Sequence, residues 1–127
     1  MEDALTAWHA LVKANDPDRL DDLLAEDAVF LSPIVHTPQQ GCFITSLYLR
    51  AALALLNNDA FRYLNEWRRE NSAVLEFEGV IDGITVNGVD MIWWNEANRI
   101  TRFKVMVRPL KAVHLIHEKM AAALQAG

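Results

Sequence analysis

The sequence predicts an α+β fold in which helices pack on one face of a curved antiparallel sheet. Three observations carry that expectation. The first half reads mainly as helix with one strand inside it, four strand-like segments then follow one another, and the chain ends in an amphipathic helix. The turn signals between the four strands are too short for crossovers, so sequential strands must pair antiparallel. Helices first and a strand meander after is the pattern of segregated layers around one core.

The elements follow in order. "MEDALTAWHALVKAND" places Leu5, Trp8, Leu11 and Val12 at helical spacing, with Asp3 as N-cap and Asn15-Asp16-Pro17 as the stop. A second helix is predicted over "PDRLDDLLAED", with Pro17 in the first turn and Leu20, Leu23 and Leu24 as its stripe. "AVFLSPIVHTP" turns to β-branched and aromatic residues and is ended by Pro33 and Pro38. "CFITSLYLRAALALLNN" returns to helix, with Phe43 or Ile44, Leu47, Ala51 and Leu55 as the expected buried face. The strands "FRYLNEWRRE", "AVLEFEGVID", "ITVNGVDMIWW" and "RITRFKVMVRP" are separated by Asn71-Ser72, Asp82-Gly83 and Asn95-Glu96-Ala97-Asn98. Pro109 introduces the last helix, "LKAVHLIHEKMAAAL".

The totals bound the function. At 127 residues, 52% hydrophobic and 23% charged, the chain is long enough for one domain, residues 1–127, with a real core. A net charge of −5 argues against nucleic acid, and the pair Arg68-Arg69 is neutralised by Glu66 and Glu70. No apolar run is long enough for a membrane span, the N-terminus lacks a signal-peptide pattern, and the lone Cys42 cannot form an internal disulfide. A cytoplasmic protein is the plain expectation.

Strand parity adds a partner. On "VDMIWWN", Asp90, Ile92 and Trp94 point one way, and Val89, Met91 and Trp93 the other. A sheet with one wet face alternates apolar with polar. Here both faces are apolar while the helices cover only one, which predicts a homodimer through the outer face.

The element order, with "AEDAVFLSP" after two helices and "FKVMVRP" in the last strand, resembles the nuclear transport factor 2-like superfamily, and within it the SnoaL-like group. The resemblance covers nearly the whole chain. It implies a cystatin-like cone, a bent sheet wrapped around helices with a cavity at its open end, and dimerisation through the outer sheet face. The superfamily includes isomerases, cyclases, hydrolases and non-enzymatic adaptors, so the fold does not choose among them. In ketosteroid isomerase, which shares the cone, a first-helix tyrosine and a protonated late-strand aspartate form an oxyanion hole, and an aspartate before a proline is the base. By that resemblance Asp90 takes the place of the late-strand acid, Ser32 in "FLSP" that of the base, and Trp8 that of the tyrosine. Serine is a poor proton acceptor without an activating base, and indole is a weaker acid than phenol, so the isomerase mechanism itself does not carry over.

Asp90 is the leading candidate. A carboxyl flanked by Ile92 and Trp94 has its ionised form disfavoured by desolvation and becomes a general acid or hydrogen-bond donor. The competing reading is an acid satisfied by protein donors alone. His36, in the Pro33–Pro38 loop, is expected at the cavity mouth, where an imidazole can act as a base near neutral pH. Trp8, Phe30, Ile92, Trp94, Phe103 and Val105 are expected to line the cavity or to fill it, and Ser32 and Tyr48 complete the expected ligand-binding set. His114 and His117 offer at most two metal ligands, and no metal or cofactor is expected. Glu76 and Glu78 share a strand face and read as partners of nearby cations rather than a glycosidase pair. Two functions stay open: an enzyme or binder for a small apolar molecule, with Asp90 as acid or donor, and a non-catalytic dimeric module.

Overall fold

The computed structural model describes residues 2–126, so Met1 and Gly127, the ends of the expected domain, lie outside the described residues. Helix α1 spans Ala4–Ala14. The Asp3 carboxylate caps it, accepting from the Thr6 N–H at 2.8 Å, and also pairs with Arg68. Those two partners hold the Asp3 pKa down at about 2. Asn15 ends the helix in the left-handed region, φ 50°, where a short polar side chain is tolerated.

The second helix is shorter than the sequence predicts. A 3-10 turn, Pro17–Arg19, leads into α2, Leu20–Leu23, and strand β1 already runs from Leu24 to Leu31. "LAED" is therefore strand rather than helix. Leu24 pairs with Ile100 on the far strand, and that pairing outweighs local propensity. Strand β2, Gln39–Gln40, is a short addition that the sequence did not signal.

Helix α3, Cys42–Leu56, also buries a different face from the expected one. Phe43 is 81% exposed, whereas Thr45 and Leu49 are buried. The Thr45 hydroxyl donates to the Ala28 carbonyl at 3.1 Å, fixing α3 against β1. A polar residue at the centre of the stripe hid it from a reading based on apolar periodicity.

Strands β3 (Arg62–Arg68), β4 (Ser72–Ile81), β5 (Ile84–Trp94) and β6 (Ile100–Arg108) form the predicted antiparallel meander. Asp82 and Gly83, both at positive φ, make the tight β4–β5 turn. The sheet order is β2-β1-β6-β5-β4-β3, with β1 parallel to β6 and every other pair antiparallel. Edges β2 and β3 do not meet, so the sheet is curved but unclosed. Register shifts in β1, β3 and between β5 and β6 bend it further. Helix α4, Leu110–Ala126, closes the chain against α3. Among the described residues no helix is long and apolar enough to cross a membrane.

Inside the curve, Leu5, Trp8, Leu11, Leu75, Ile92 and Phe103 are buried, each worth about 1.5–3 kcal/mol of apolar transfer. The strand parity follows the sequence. Val86, Gly88, Asp90, Ile92 and Trp94 point inward, while Val89, Met91 and Trp93 point outward and stay half-buried. Gly88 is required by space. A β-carbon there would lie 2.4 Å from the Met106 carbonyl oxygen and 2.7 Å from the Phe77 ring.

Candidate functional site

Asp90 comes inward between Leu75 on β4 and Val105 on β6, and only 7% of its surface is exposed. Its partner is Tyr63 of β3, two strands away. The Tyr63 hydroxyl donates to Asp90 Oδ2 at 2.6 Å and accepts from Trp8 Nε1 at 2.9 Å. The result is a directed relay, indole to phenol to carboxyl. Its last member keeps one oxygen in reserve. Among the described residues Oδ1 has no hydrogen-bond partner, it is not sealed off, and Asp90 helps to line a cavity.

Electrostatics follow from burial. Desolvation pushes the Asp90 pKa up from 3.8 to about 7, against the opposing effect of Tyr63's donated bond. Burial and the adjacent Asp90 carboxylate likewise hold the Tyr63 phenol well above its usual 10, although Trp8's donation acts the other way. The ring of Tyr63 keeps some exposure because β3 is an edge strand, but its hydroxyl end is enclosed. Asp90 is therefore neutral over most of the range below pH 7. With Oδ2 engaged by Tyr63, its proton belongs on Oδ1, aimed at the cavity.

That cavity holds about 50 Å³ and has apolar walls from Trp8, Leu49, Leu53, Phe77, Phe103 and Val105. Trp8 meets Phe103 edge-on, ring centroids 4.8 Å apart. Asn57 is the one further polar side chain in the wall, and its amide is occupied by the Val12 carbonyl and Asn15. Among the described residues Tyr63 is the one other titratable group in this lining. A second cavity of about 180 Å³ lies beyond Ala52, Leu56 and Val105, which line both.

The residues singled out from the sequence thus divide. Trp8, Asp90, Phe103 and Val105 come together around the inner cavity. Phe30, Ser32, Tyr48 and, again, Val105 line the second one, where Phe30 stacks on Tyr48 at 5.3 Å. Ile92 and Trp94 are buried in the core but line neither. Arg68 sits 5.9 Å from the Trp94 ring centroid, near the β3 end of the sheet. The Ser32 hydroxyl accepts from the Ile34 and Val35 amides and so shapes its own turn. His36 is exposed in that loop and the structure does not bring it to Asp90. Glu78 pairs with Arg62 at 3.0 Å, and Glu76 accepts from Asn65 and Asn87. Among the described residues no three histidine, cysteine or acidic side chains converge as a metal site would require.

Tyr63 is the residue the sequence reading missed. The chain has only two tyrosines, and a buried carboxyl calls for a hydroxyl or N–H donor, so a short candidate set existed. What hid it was the register shift between Tyr63 and Asn65, which breaks simple parity on β3.

No protein-family model matches the sequence, and no curated protein matches it either. Solved structures do. A steroid delta-isomerase from Pseudomonas aeruginosa is 34% identical with a TM-score of 0.91, covering 97% of this chain and 90% of that one. An uncharacterised protein with a cystatin-like fold from Silicibacter pomeroyi is 27% identical with a TM-score of 0.87, covering 96% and 85%. A nuclear transport factor 2-like protein of unknown function from Mesorhizobium loti shares the fold at 17% identity and a TM-score of 0.71, over 84% and 88%. The chain belongs to the nuclear transport factor 2-like (SnoaL-like) superfamily.

Proposed function

We propose that this chain binds a small, mostly apolar molecule through one carbonyl oxygen, using the neutral Asp90 carboxyl as hydrogen-bond donor and, where proton transfer follows, as the acid. One observation carries the reading. A buried carboxyl, neutral up to about pH 7, is fixed by Tyr63 on one oxygen and turns the other into an apolar-walled cavity. The similarity to a steroid delta-isomerase supports carbonyl chemistry as the class. The residues argue against the full proton shuttle that the resemblance to ketosteroid isomerase implies, because Ser32 stands where a base is needed and its hydroxyl accepts within its own turn. The cavity is also small. Ligand pockets for drug-sized molecules measure about 300–1,000 Å³, so an inner space of about 50 Å³ admits the carbonyl end while the rest of the ligand extends beyond it.

The test compares cyclohexanone with methylenecyclohexane, its oxygen-free analogue, by NMR titration at pH 5.5 and 8.5. A buried donor left without its acceptor costs about 1–3 kcal/mol, so the ketone should bind at least about fivefold tighter at pH 5.5. That preference should fade at pH 8.5, where ionised Asp90 repels the carbonyl oxygen. Equal binding of the two, or a preference indifferent to pH and to Asp90→Leu, sinks the reading.

A homodimer through the outer sheet face belongs to the same proposal. Val89, Met91 and Trp93 form a half-buried stripe on β5, with Trp67 57% exposed and Met106 49% exposed nearby. Glu76 and Glu78 lie on the β4 side of that stripe, and Arg102, Lys104 and Arg108 on the β6 side. A twofold axis along β5 stacks one protomer's acidic row over its partner's basic row. This favours self-association over a chemically different partner.

A further inference from the structure

The inner cavity has a second neighbour besides the apolar one. Val12, Asn57, Phe61 and Tyr63 line both the Asp90 cavity and a surface groove of about 340 Å³ on its outer side. The groove's other walls are His9, Lys13 and Arg62, so every charged or titratable side chain it adds is basic. That runs against a chain whose net charge is −5. The nearby carboxylates are engaged at its rim, Glu66 with His9 at 2.8 Å and Glu78 with Arg62 at 3.0 Å. Both pairs are solvent-accessible, and such pairs are weak and easily exchanged. Lys13, exposed in the last turn of α1, has no carboxylate partner among the described residues.

From this arrangement we infer that the ligand is an amphipathic anion, a keto acid in chemical class, whose carbonyl enters the Asp90 cavity while its carboxylate rests in the groove against Lys13 and Arg62. The inference rests on the carbonyl reading above and specifies the other end of the same molecule. It also resolves the mismatch of size. The small inner space admits only the carbonyl end, and the groove that shares Tyr63 with it offers room together with cations. The alternative continuation, past Val105 into the second cavity, has mainly apolar walls, with Ser32, Tyr48 and His117 as its polar members and no lysine or arginine, and suits an uncharged tail.

The experiment titrates the intact chain with 4-oxopentanoate, 5-oxohexanoate and 6-oxoheptanoate, and with their methyl esters, at pH 6. Three lengths are used so that reach alone cannot decide the result. At one length or more the acid should bind at least about threefold tighter than its ester, the scale of an exposed ion pair. The advantage should shrink as salt is raised. It should vanish in Lys13→Gln/Arg62→Gln, two exposed positions whose replacement leaves the core intact, while ester affinity stays the same. Esters that match or exceed the acids at every length overturn the inference but leave the carbonyl reading standing. So does an acid advantage that survives the double substitution. If neither acids nor esters bind, the carbonyl reading itself has failed and this inference falls with it.

Discussion

Replacing Asp90 by Asn should make the protein more stable, and by an amount that depends on pH. The amide keeps an acceptor for Tyr63 and nearly the same shape, but it never ionises. In the folded chain Asp90 has its pKa raised from 3.8 to about 7 by burial. Between those values the folded state keeps a proton that the unfolded state has lost. The stability Asp90 contributes as a neutral group is therefore complete below 3.8 and drains away as pH rises through about 7. At about 1.4 kcal/mol for each unit of pH, the whole climb is worth on the order of 4 kcal/mol. Urea unfolding of both proteins from pH 4 to pH 9, at one fixed concentration, reads this directly, and titrations common to both cancel in the difference. The two should agree near pH 4, diverge in favour of Asp90→Asn, and run parallel again above pH 7. A constant difference refutes the reasoning. So does a native protein that is the more stable one at pH 8, since that would require an ionised Asp90 stabilised by the fold.

Tyr63→Phe should remove both bonds of the relay, leaving the Trp8 indole N–H buried without its acceptor at a cost of about 1–3 kcal/mol. The same change should move the Asp90 pKa further up, because Tyr63's donation is what holds it down; a carbon-13 titration of the Asp90 carboxyl that shows no rise contradicts the relay. For the dimer, Glu78 and Arg108 share one row of the sheet through Asn87. Arg108→Glu should therefore weaken self-association in sedimentation equilibrium and added Glu78→Arg restore it, whereas a native chain that stays monomeric at about 100 μM removes the proposal.

The architecture was legible because its signals are local. Asp3 and Asn15 mark the ends of α1 by their side-chain chemistry, Asp82-Gly83 admits few turns other than the one it makes, and period-two alternation on β5 fixes which side chains enter the core. Where the reading erred, a distant contact had overridden a local preference. Leu24 leaves the helix because Ile100 pairs with it, and α3 turns Thr45 inward because Ala28 offers a carbonyl. The acid of the site was legible for a related reason, since a carboxyl on the same strand face as Ile92 and Trp94 must be buried on parity alone. Its partner was not. Tyr63 reaches Asp90 across β4 only after a register shift, and no short-range pattern encodes that. The division into two cavities is still less accessible, because it depends on how Ala52, Leu56 and Val105 pack together from α3 and β6.

An acid at position 90 is the feature that separates binding from chemistry. For binding alone, asparagine would serve. Its carbonyl would accept from Tyr63, its amide N–H would donate to a ligand carbonyl, and the desolvation that raises the carboxyl's pKa would be absent. What an amide cannot do is release a proton and take it back. A carboxyl with a pKa of about 7 does both with comparable ease near neutral pH, which is the condition a general acid or base requires. Tyr63 steadies either state. It donates to the carboxylate when the proton has left and keeps Oδ2 occupied when the proton is on Oδ1. A fold that only needed to close its core would gain stability by giving up this acid. The stability forgone at Asp90 is therefore what supports the proposal of proton transfer, over recognition alone, at this cavity.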